Sequence, residues 1–125
     1  MINYGKYFRE EEFHCHCGEC EFPGMDQEFL YDLNNLREAL GQPIIITSGY
    51  RCEKYNKKIG GSPTSSHLKG LAVDISCKDS IYRFCLIQTL FWNQVDFILD
   101  RIGIAKDFIH LDKDSSKQED RIWVY

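Results

Sequence analysis

An aspartate lies inside an otherwise apolar run, Leu71-Ala72-Val73-Asp74-Ile75. The run alternates well enough to predict a β-strand over Gly70–Ser76, with Ala72 and Asp74 on one face of the strand. A carboxylate in an apolar strand needs a partner or a metal ion, because a buried unpaired charge is costly. Few side chains in the sequence constrain the fold as strongly as this one.

Two histidines are placed to share that carboxylate. His67 precedes Asp74 by seven residues, which does not suit one helical face but suits a loop histidine that turns through Gly70 into the strand. His110 lies in a second predicted strand, Phe108–Asp112. Two imidazoles and a carboxylate are the three-ligand set of catalytic zinc, which keeps a position for water and lowers the pKa of that water to about 7. We therefore predict a Zn²⁺ site formed by His67, Asp74 and His110.

The remaining patterns predict one α+β domain. The 125 residues suffice for a single core. Helical spacing and capping residues predict these helices: Met25–Leu40 with Asp26 as N-cap and Gly41 as stop, Glu53–Ile59, Ser80–Trp92, and a short helix or turn over Phe8–Phe13. Further strands are expected at Ile44–Thr47 (as a buried strand), Phe97–Ile102 and Ile122–Tyr125. Helices before and between clustered strands favour a mainly antiparallel sheet with flanking helices.

Charge and hydropathy exclude several classes of partner. The net charge is −4 and the isoelectric point is near 5.5, which argues against nucleic acid or an anionic membrane as the partner. No apolar run approaches the roughly 20 residues of a membrane span. The first residues lack the basic-then-apolar order of a secretory signal, so synthesis in the cytoplasm is expected.

Three of the six cysteines crowd into the segment His14–Cys20, which favours a metal over a ladder of disulfides. Cys17-x-x-Cys20 matches one half of a structural zinc knuckle. The remaining ligands would come from Cys15, a histidine or Cys52, and a disulfide between Cys52 and a knuckle cysteine is the main alternative. A second metal and a disulfide both stay open, with free thiols as the third alternative. Two cysteines are expected to be core thiols: Cys77 and Cys85.

Two segments carry a family resemblance. The first is Ser65-x-His67-x-x-Gly70-x-Ala72-x-Asp74 with His110 downstream, and the second is Ile46-Thr47-Ser48-Gly49-Tyr50-Arg51 followed by Asn56 and Gly60-Gly61. Together they resemble the zinc D-alanyl-D-alanine carboxypeptidase family, which includes vancomycin-resistance dipeptidases, phage L-alanyl-D-glutamate endolysins and the hedgehog signalling domain. The resemblance spans Pro43 to Asp112 and implies a hedgehog/D-Ala-D-Ala peptidase-like fold.

The resemblance also implies roles for individual residues. His67, Asp74 and His110 match the zinc ligands. Arg51 matches the arginine that binds substrate or polarises the scissile carbonyl, and Ser65 is expected to contact substrate or to orient the His67 loop. The implied reaction is hydrolysis of peptidoglycan stem peptides in the cell wall, as a D-Ala-D-Ala carboxypeptidase or, alternatively, an endopeptidase of the endolysin type.

The general base is predicted from less direct signals. Several relatives place a glutamate three residues before the last ligand, where this chain has Asp107. In a regular strand Asp107 would face away from His110, so a bulge where the strand begins would be needed. Other relatives place a histidine two residues before that ligand, where this chain has Phe108. Asp112 shares the face of His110 and is the second candidate, or an outer partner that orients His110. We favour Asp107.

The chain is expected to form one zinc peptidase-like domain over residues 1–125. Within it, residues 1–24 would form a cysteine-rich N-terminal segment and residues 25–125 the catalytic core. We expect a monomer, and any release from the cell would need a route such as lysis or a phage particle. Two other functions remain open at this point: a non-catalytic zinc-containing binding module of the same fold, and a structural zinc domain without an open metal position.

Overall fold

One five-stranded sheet organises the computed structural model, which describes residues 1–92 and 99–125. The strands within these ranges are β1 (Ile46–Ser48), β2 (Ala72–Ser76), β3 (Arg101–Ile104), β4 (Phe108–Asp112) and β5 (Arg121–Val124). The helices are α1 (Gln27–Leu40), α2 (Glu53–Lys58) and α3 (Ser80–Trp92), with 3₁₀ helices at Glu10–Phe13 and Ser66–Lys69. The strand order is β1-β2-β4-β3-β5, and only the β3–β5 pairing is parallel. The predicted α+β class with a mainly antiparallel sheet is confirmed.

Helix α1 begins and ends at the predicted capping residues. The side chain of Asp26 accepts a hydrogen bond from the backbone N–H of Phe29 at 2.9 Å. Gly41 ends the helix in the left-handed conformation, with φ of 68°, which glycine adopts without steric cost. None of the helices in the described ranges combines the length and the apolar character that a membrane crossing requires.

The two faces of strands β2 and β4 differ in what they carry. Four side chains on one face are fully buried in the core with α1: Val73, Ile75, Ile109 and Leu111. The antiparallel register sets Asp74 directly opposite His110. Because side chains alternate along a strand, both of these residues point to the face away from that core. The sheet therefore separates an apolar core from a polar site.

Two predicted strands differ most from the observed ones. The buried strand expected over Ile44–Thr47 is instead β1 at Ile46–Ser48, and it lies at the edge of the sheet, where it pairs with β2 within the described ranges. The side chain of Ile45 is 63% exposed, so the prediction of a buried strand was wrong. Continuous β-branched residues do not distinguish a central strand from an edge strand. Of the strand expected at Phe97–Ile102, residues 97 and 98 lie outside the described ranges, and β3 continues to Ile104.

Candidate metal centre and the cavity around it

Three side chains converge on the polar face of the sheet. Nε2 of His67 lies 3.3 Å from Oδ1 of Asp74, and Nδ1 of His110 lies 3.0 Å from the same oxygen. All three side chains are nearly buried, and the set could hold a metal ion. Ligand atoms about 2.0–2.2 Å from a tetrahedral zinc lie roughly 3.3–3.6 Å apart, close to these distances.

His67 is oriented by the backbone around it. Its 3₁₀ helix begins at Ser65, whose hydroxyl accepts a hydrogen bond from the N–H of His67 at 3.2 Å, and ends at Gly70 in the left-handed conformation. Nδ1 of His67 lies 2.7 Å from the carbonyl oxygen of Gly49. A carbonyl can only accept, so Nδ1 carries the proton and Nε2 has the free lone pair.

The free nitrogen is the atom that tests whether the site suits a metal. Nε2 of His67 is buried, and it has no hydrogen-bond partner within the described part of the chain. A buried polar atom without a partner is costly, and a metal bound by its lone pair removes that cost. Together with Asp74 and His110 it forms the mixed nitrogen and oxygen donor set that zinc accepts.

His110 is held from its other side by Asp112. Nε2 of His110 lies 2.7 Å from Oδ2 of Asp112. The second oxygen of Asp112 accepts hydrogen bonds from Nε of Arg101 at 2.8 Å and from the N–H of Asp114 at 3.3 Å. Both oxygens of Asp112 are therefore engaged, in the arrangement of a carboxylate that orients a metal-binding histidine.

The electrostatics of the site favour the metal-binding protonation state at His67 and Asp74. Burial lowers the pKa of His67 and outweighs the opposing effect of Asp74. Burial works against ionisation of Asp74, but the hydrogen bond from His110 outweighs it and holds the pKa of that carboxyl below its usual range. Burial also opposes charge on His110, yet Asp112 and Asp74 raise its pKa. The site thus pairs a neutral imidazole with an ionised carboxylate, whereas His110 would release a proton on binding a metal.

Arg51 lies beside the metal ligands. Its Nη2 donates to Oδ2 of Asp74 at 3.4 Å, its Nη1 to Oδ1 of Asn56 at 2.9 Å and its Nε to the hydroxyl of Ser48 at 3.2 Å. Gly61 leaves room for this arrangement, since a Cβ there would lie 2.1 Å from Oδ1 of Asn56. The guanidinium has five N–H donors, so it can still bind a substrate oxygen.

A cavity of about 390 Å³ opens onto the three ligands. Its wall combines cationic and aromatic side chains with the carboxylates of Asp74 and Asp112, and these residues are among the others lining it: Arg51, Ser65, Arg101, Phe108, Lys117, Trp123 and Tyr125. The structure therefore places Arg51 and Ser65 at one cavity with the predicted zinc ligands. A cavity with this lining suits a ligand that carries a carboxylate.

The structure does not bring Asp107 to that cavity. The N–H of Ala105 donates to the carbonyl of Phe108 at 3.0 Å, so Lys106 and Asp107 form the exposed two-residue tip of the β3–β4 hairpin. The strand begins at Phe108 without the bulge that would redirect the aspartate. Phe108 lines the cavity in its place. Asp112 is at the site, but as the partner of His110.

Sequence reasoning did not identify Asp114. Its carboxylate accepts hydrogen bonds from the hydroxyl of Ser66 at 2.8 Å and from Nζ of Lys69 at 3.2 Å, so it anchors the 3₁₀ helix that carries His67. Burial opposes its ionisation, but hydrogen bonds from Ser116 and Ser66 hold the pKa of Asp114 below its usual range. The available signal was a run of charged residues directly after an apolar strand.

Trp123 and Tyr125 were also missed. They reach the cavity from β5 and the residue after it, and the ring of Trp123 lies 5.5 Å from that of His110. Their spacing of two in a predicted strand indicates a shared face. The parallel pairing with β3 that brings this face to the site is a long-range contact with no local signal.

Four cysteines form a second cluster, which joins Cys52 to the three cysteines of the N-terminal segment. Their Sγ atoms lie within 4.8 Å of one another. Cys17 has a pKa lowered to about 6, chiefly by the N–H of Glu19, whereas the neighbouring thiol of Cys17 raises the pKa of Cys20 to about 12. Of the other two cysteines, Cys77 lies in the core. Neither histidine of this segment joins the cluster: His14 lies 3.4 Å from Glu10, and His16 packs against Tyr55.

The comparison with known families agrees with this geometry. A family model described as Peptidase M15 matches residues 6–112. The match includes the three candidate ligands, Arg51 and the four clustered cysteines, and it covers most of the chain. No curated protein matches the chain.

Proposed function

The chain belongs to the peptidase M15 family, and we propose that it is a zinc-dependent carboxypeptidase acting on peptidoglycan stem peptides that end in D-Ala-D-Ala. The observation that carries the metal assignment is the buried Nε2 of His67, which has no hydrogen-bond partner in the described ranges and lies 3.3 Å from Asp74. A metal bound by this atom turns an unfavourable buried group into a ligand.

Different residues of the protein would bind the metal and orient its ligands. When bound by His67, Asp74 and His110, zinc would act as a Lewis acid and would lower the pKa of a bound water to about 7. Nδ1 of His67 donates its proton to the Gly49 carbonyl, and Nε2 of His110 would donate its proton to Asp112, so each ring presents one fixed nitrogen to the metal. The remaining hydrogen bonds therefore hold the ligand geometry before the peptide arrives.

Arg51 supplies the charge that faces the peptide. Its guanidinium is fixed by Asn56 and Ser48, so little conformational entropy is lost when it binds the scissile carbonyl oxygen or a carboxylate. Lys117 adds a second positive charge to the cavity wall. Burial raises the pKa of Tyr125 further above the neutral range, and its phenol O–H can donate a hydrogen bond to the substrate. Cationic groups at the cavity favour a substrate that ends in a carboxylate, which supports cleavage at the chain end.

The test is hydrolysis of defined peptidoglycan fragments. Zinc-loaded and chelated protein are incubated with a stem pentapeptide ending in D-Ala-D-Ala, and products are identified by mass spectrometry. Zinc-dependent release of one D-alanine is expected, whereas internal cleavage would indicate an endopeptidase. No cleavage by a zinc-loaded chain would overturn the proposal in favour of a binding module. His110→Ala should lose the zinc of this site and the activity together, and His14→Ala, an exposed histidine away from the cavity, is the matched control.

A further inference from the structure

The spacing of the four clustered cysteines suits a single metal ion. Sγ of Cys52 lies 3.8 Å from Sγ of Cys15 and 3.9 Å from Sγ of Cys17. A tetrahedral zinc with Zn–S bonds of about 2.3 Å places its sulfur ligands about 3.8 Å apart. A disulfide needs about 2.05 Å between its two sulfurs, well below either of these distances. All four Sγ atoms lie within 4.8 Å of one another, so one ion can contact all of them.

Backbone N–H groups point at the sulfur atoms. Cys17 accepts from the N–H groups of Glu19 and Cys20 at 3.4 and 3.3 Å. Cys15 accepts from the N–H of Cys52 at 3.4 Å, and Cys52 from the N–H of Tyr55 at 3.4 Å. Such donors stabilise negative charge on sulfur, and the thiolate is the form that binds a metal.

The cluster joins two distant parts of the chain next to the candidate active site. Cys52 is 35 residues from Cys17 and directly follows Arg51. The same loop contacts the N-terminal segment a second time, where the N–H of Tyr50 donates to the carbonyl of Phe13 at 2.9 Å. Gly49 packs so closely there that a Cβ would lie 2.7 Å from the Cα of Phe13. The loop that carries Arg51 and the Gly49 carbonyl is thus supported by the cysteine segment.

We propose that this chain binds a second zinc ion through four thiolates, Cys15, Cys17, Cys20 and Cys52. Four protein ligands close the coordination sphere, so this zinc is structural and takes no part in hydrolysis. It fixes the loop over residues 49–52, and through that loop the carbonyl that orients His67 and the backbone of Arg51. This zinc site is independent of the peptidase proposal, because it requires neither a substrate nor the His67 site.

Metal and thiol counts on the full chain test the proposal without any variant. Wild-type protein purified without chelator should release six reactive thiols when denatured without reductant. Four or two thiols would indicate one or two disulfides in the cluster and would overturn the proposal. His110→Ala, which disrupts the first site, should retain one equivalent of zinc. Replacing that zinc with Co²⁺ should give strong thiolate-to-cobalt charge-transfer absorption. Its absence from a cobalt-loaded chain would equally overturn the proposal.

Matched cysteine variants then locate the ligands. Cys52→Ser should lose one equivalent of zinc and the charge-transfer absorption, and Cys85→Ser, on α3 outside the cluster, should keep both. Unchanged metal content in Cys52→Ser would exclude Cys52 as a ligand and contradict the proposal. If Cys52→Ser does not fold, the wild-type cobalt spectrum and thiol count still decide. Failure of peptide hydrolysis leaves these readouts unaffected, so the two proposals fail separately.

Discussion

Nε2 of His110 and Oδ2 of Asp112 lie 2.7 Å apart, on the side of the imidazole ring that faces away from Asp74. Because Asp112 follows His110 by two residues in β4, both side chains lie on the same face of the strand. Arg101 in turn fixes the carboxylate at 2.8 Å. This chain of contacts holds His110 in one orientation.

Replacing Asp112 should weaken the metal site without abolishing the fold. We expect Asp112→Asn to lower zinc affinity about 10- to 100-fold, because outer carboxylates raise the basicity of the histidine they contact and fix its ring. Competition with a chromogenic chelator measures the affinity, and circular dichroism checks the fold. Asp107→Asn removes a carboxylate from the exposed hairpin tip and should leave both affinity and hydrolysis unchanged. A loss of hydrolysis in Asp107→Asn with zinc retained would restore Asp107 as the general base.

Arg51 should affect turnover more than metal binding. Arg51→Ala is expected to reduce kcat/KM about 10²- to 10³-fold, the usual loss when a donor to the developing oxyanion is removed. Arg51→Lys should recover little, because an ammonium cannot reproduce the planar fork that contacts Asn56 and Asp74. Steady-state kinetics and zinc content are measured together, with Arg121→Ala as a charge-matched control outside the cavity. Equal losses in both arginine variants would contradict the assigned role.

Features with a local signal were predictable from sequence. The ends of α1 at Asp26 and Gly41 were predictable from residue type. An aspartate can cap the first turn through its side chain, and a glycine tolerates the positive φ that ends a helix. The alternation of apolar and polar residues around Asp74 and around His110 predicted which face of its strand each side chain occupies. In the structure, the register of β2 against β4 sets the two residues opposite each other. A buried carboxylate in an apolar strand was itself the strongest clue to the site.

Features that depend on long-range pairing were not predictable. Asp107 would reach the site if a bulge preceded β4, but it lies at the hairpin tip because the chain turns at Lys106. The residues at this point of the sequence are compatible with either conformation. The contact of Asp114 with Ser66 spans 48 residues of sequence. The approach of Cys52 to the N-terminal cysteines was one alternative among several until the fold brought them together. Sequence periodicity identifies a strand and its faces, but the choice of neighbouring strand is a tertiary property.

Gly61 should be intolerant of a side chain. A Cβ at this position would lie 2.1 Å from Oδ1 of Asn56 and 3.0 Å from Nη1 of Arg51, so Gly61→Ala must displace the pair. We expect hydrolysis to fall at least about tenfold, since misplacement of a positioned group by an ångström costs up to about 10²-fold. Zinc content should remain unchanged. Gly41→Asn, at the end of α1, is the control, and equal activity of Gly61→Ala and wild type would show that Arg51 is not held through Asn56.

Asp114 links the stability of the fold to the position of His67. Its side chain is almost completely buried and accepts hydrogen bonds from Ser66, Lys69 and Ser116. These contacts hold the pKa of the folded-state carboxyl below its usual range. The ionised form therefore stabilises the fold at pH values above the unfolded-state pKa of about 3.9, and that contribution is lost as the pH falls below it.

Asp114→Asn should therefore destabilise the protein at neutral pH and matter less in acid. Hydrogen bonds to a charged group contribute about 1.5–3 kcal/mol each, and the amide keeps part of them, so we expect a loss of about 1–3 kcal/mol at pH 7. Urea unfolding at pH 7 and pH 3, with chelator present so that proton-driven metal release does not contribute, measures the difference. The gap from wild type should narrow at pH 3, whereas Glu119→Gln in the same loop should differ little at either pH. A constant gap would show that Asp114 acts through packing alone.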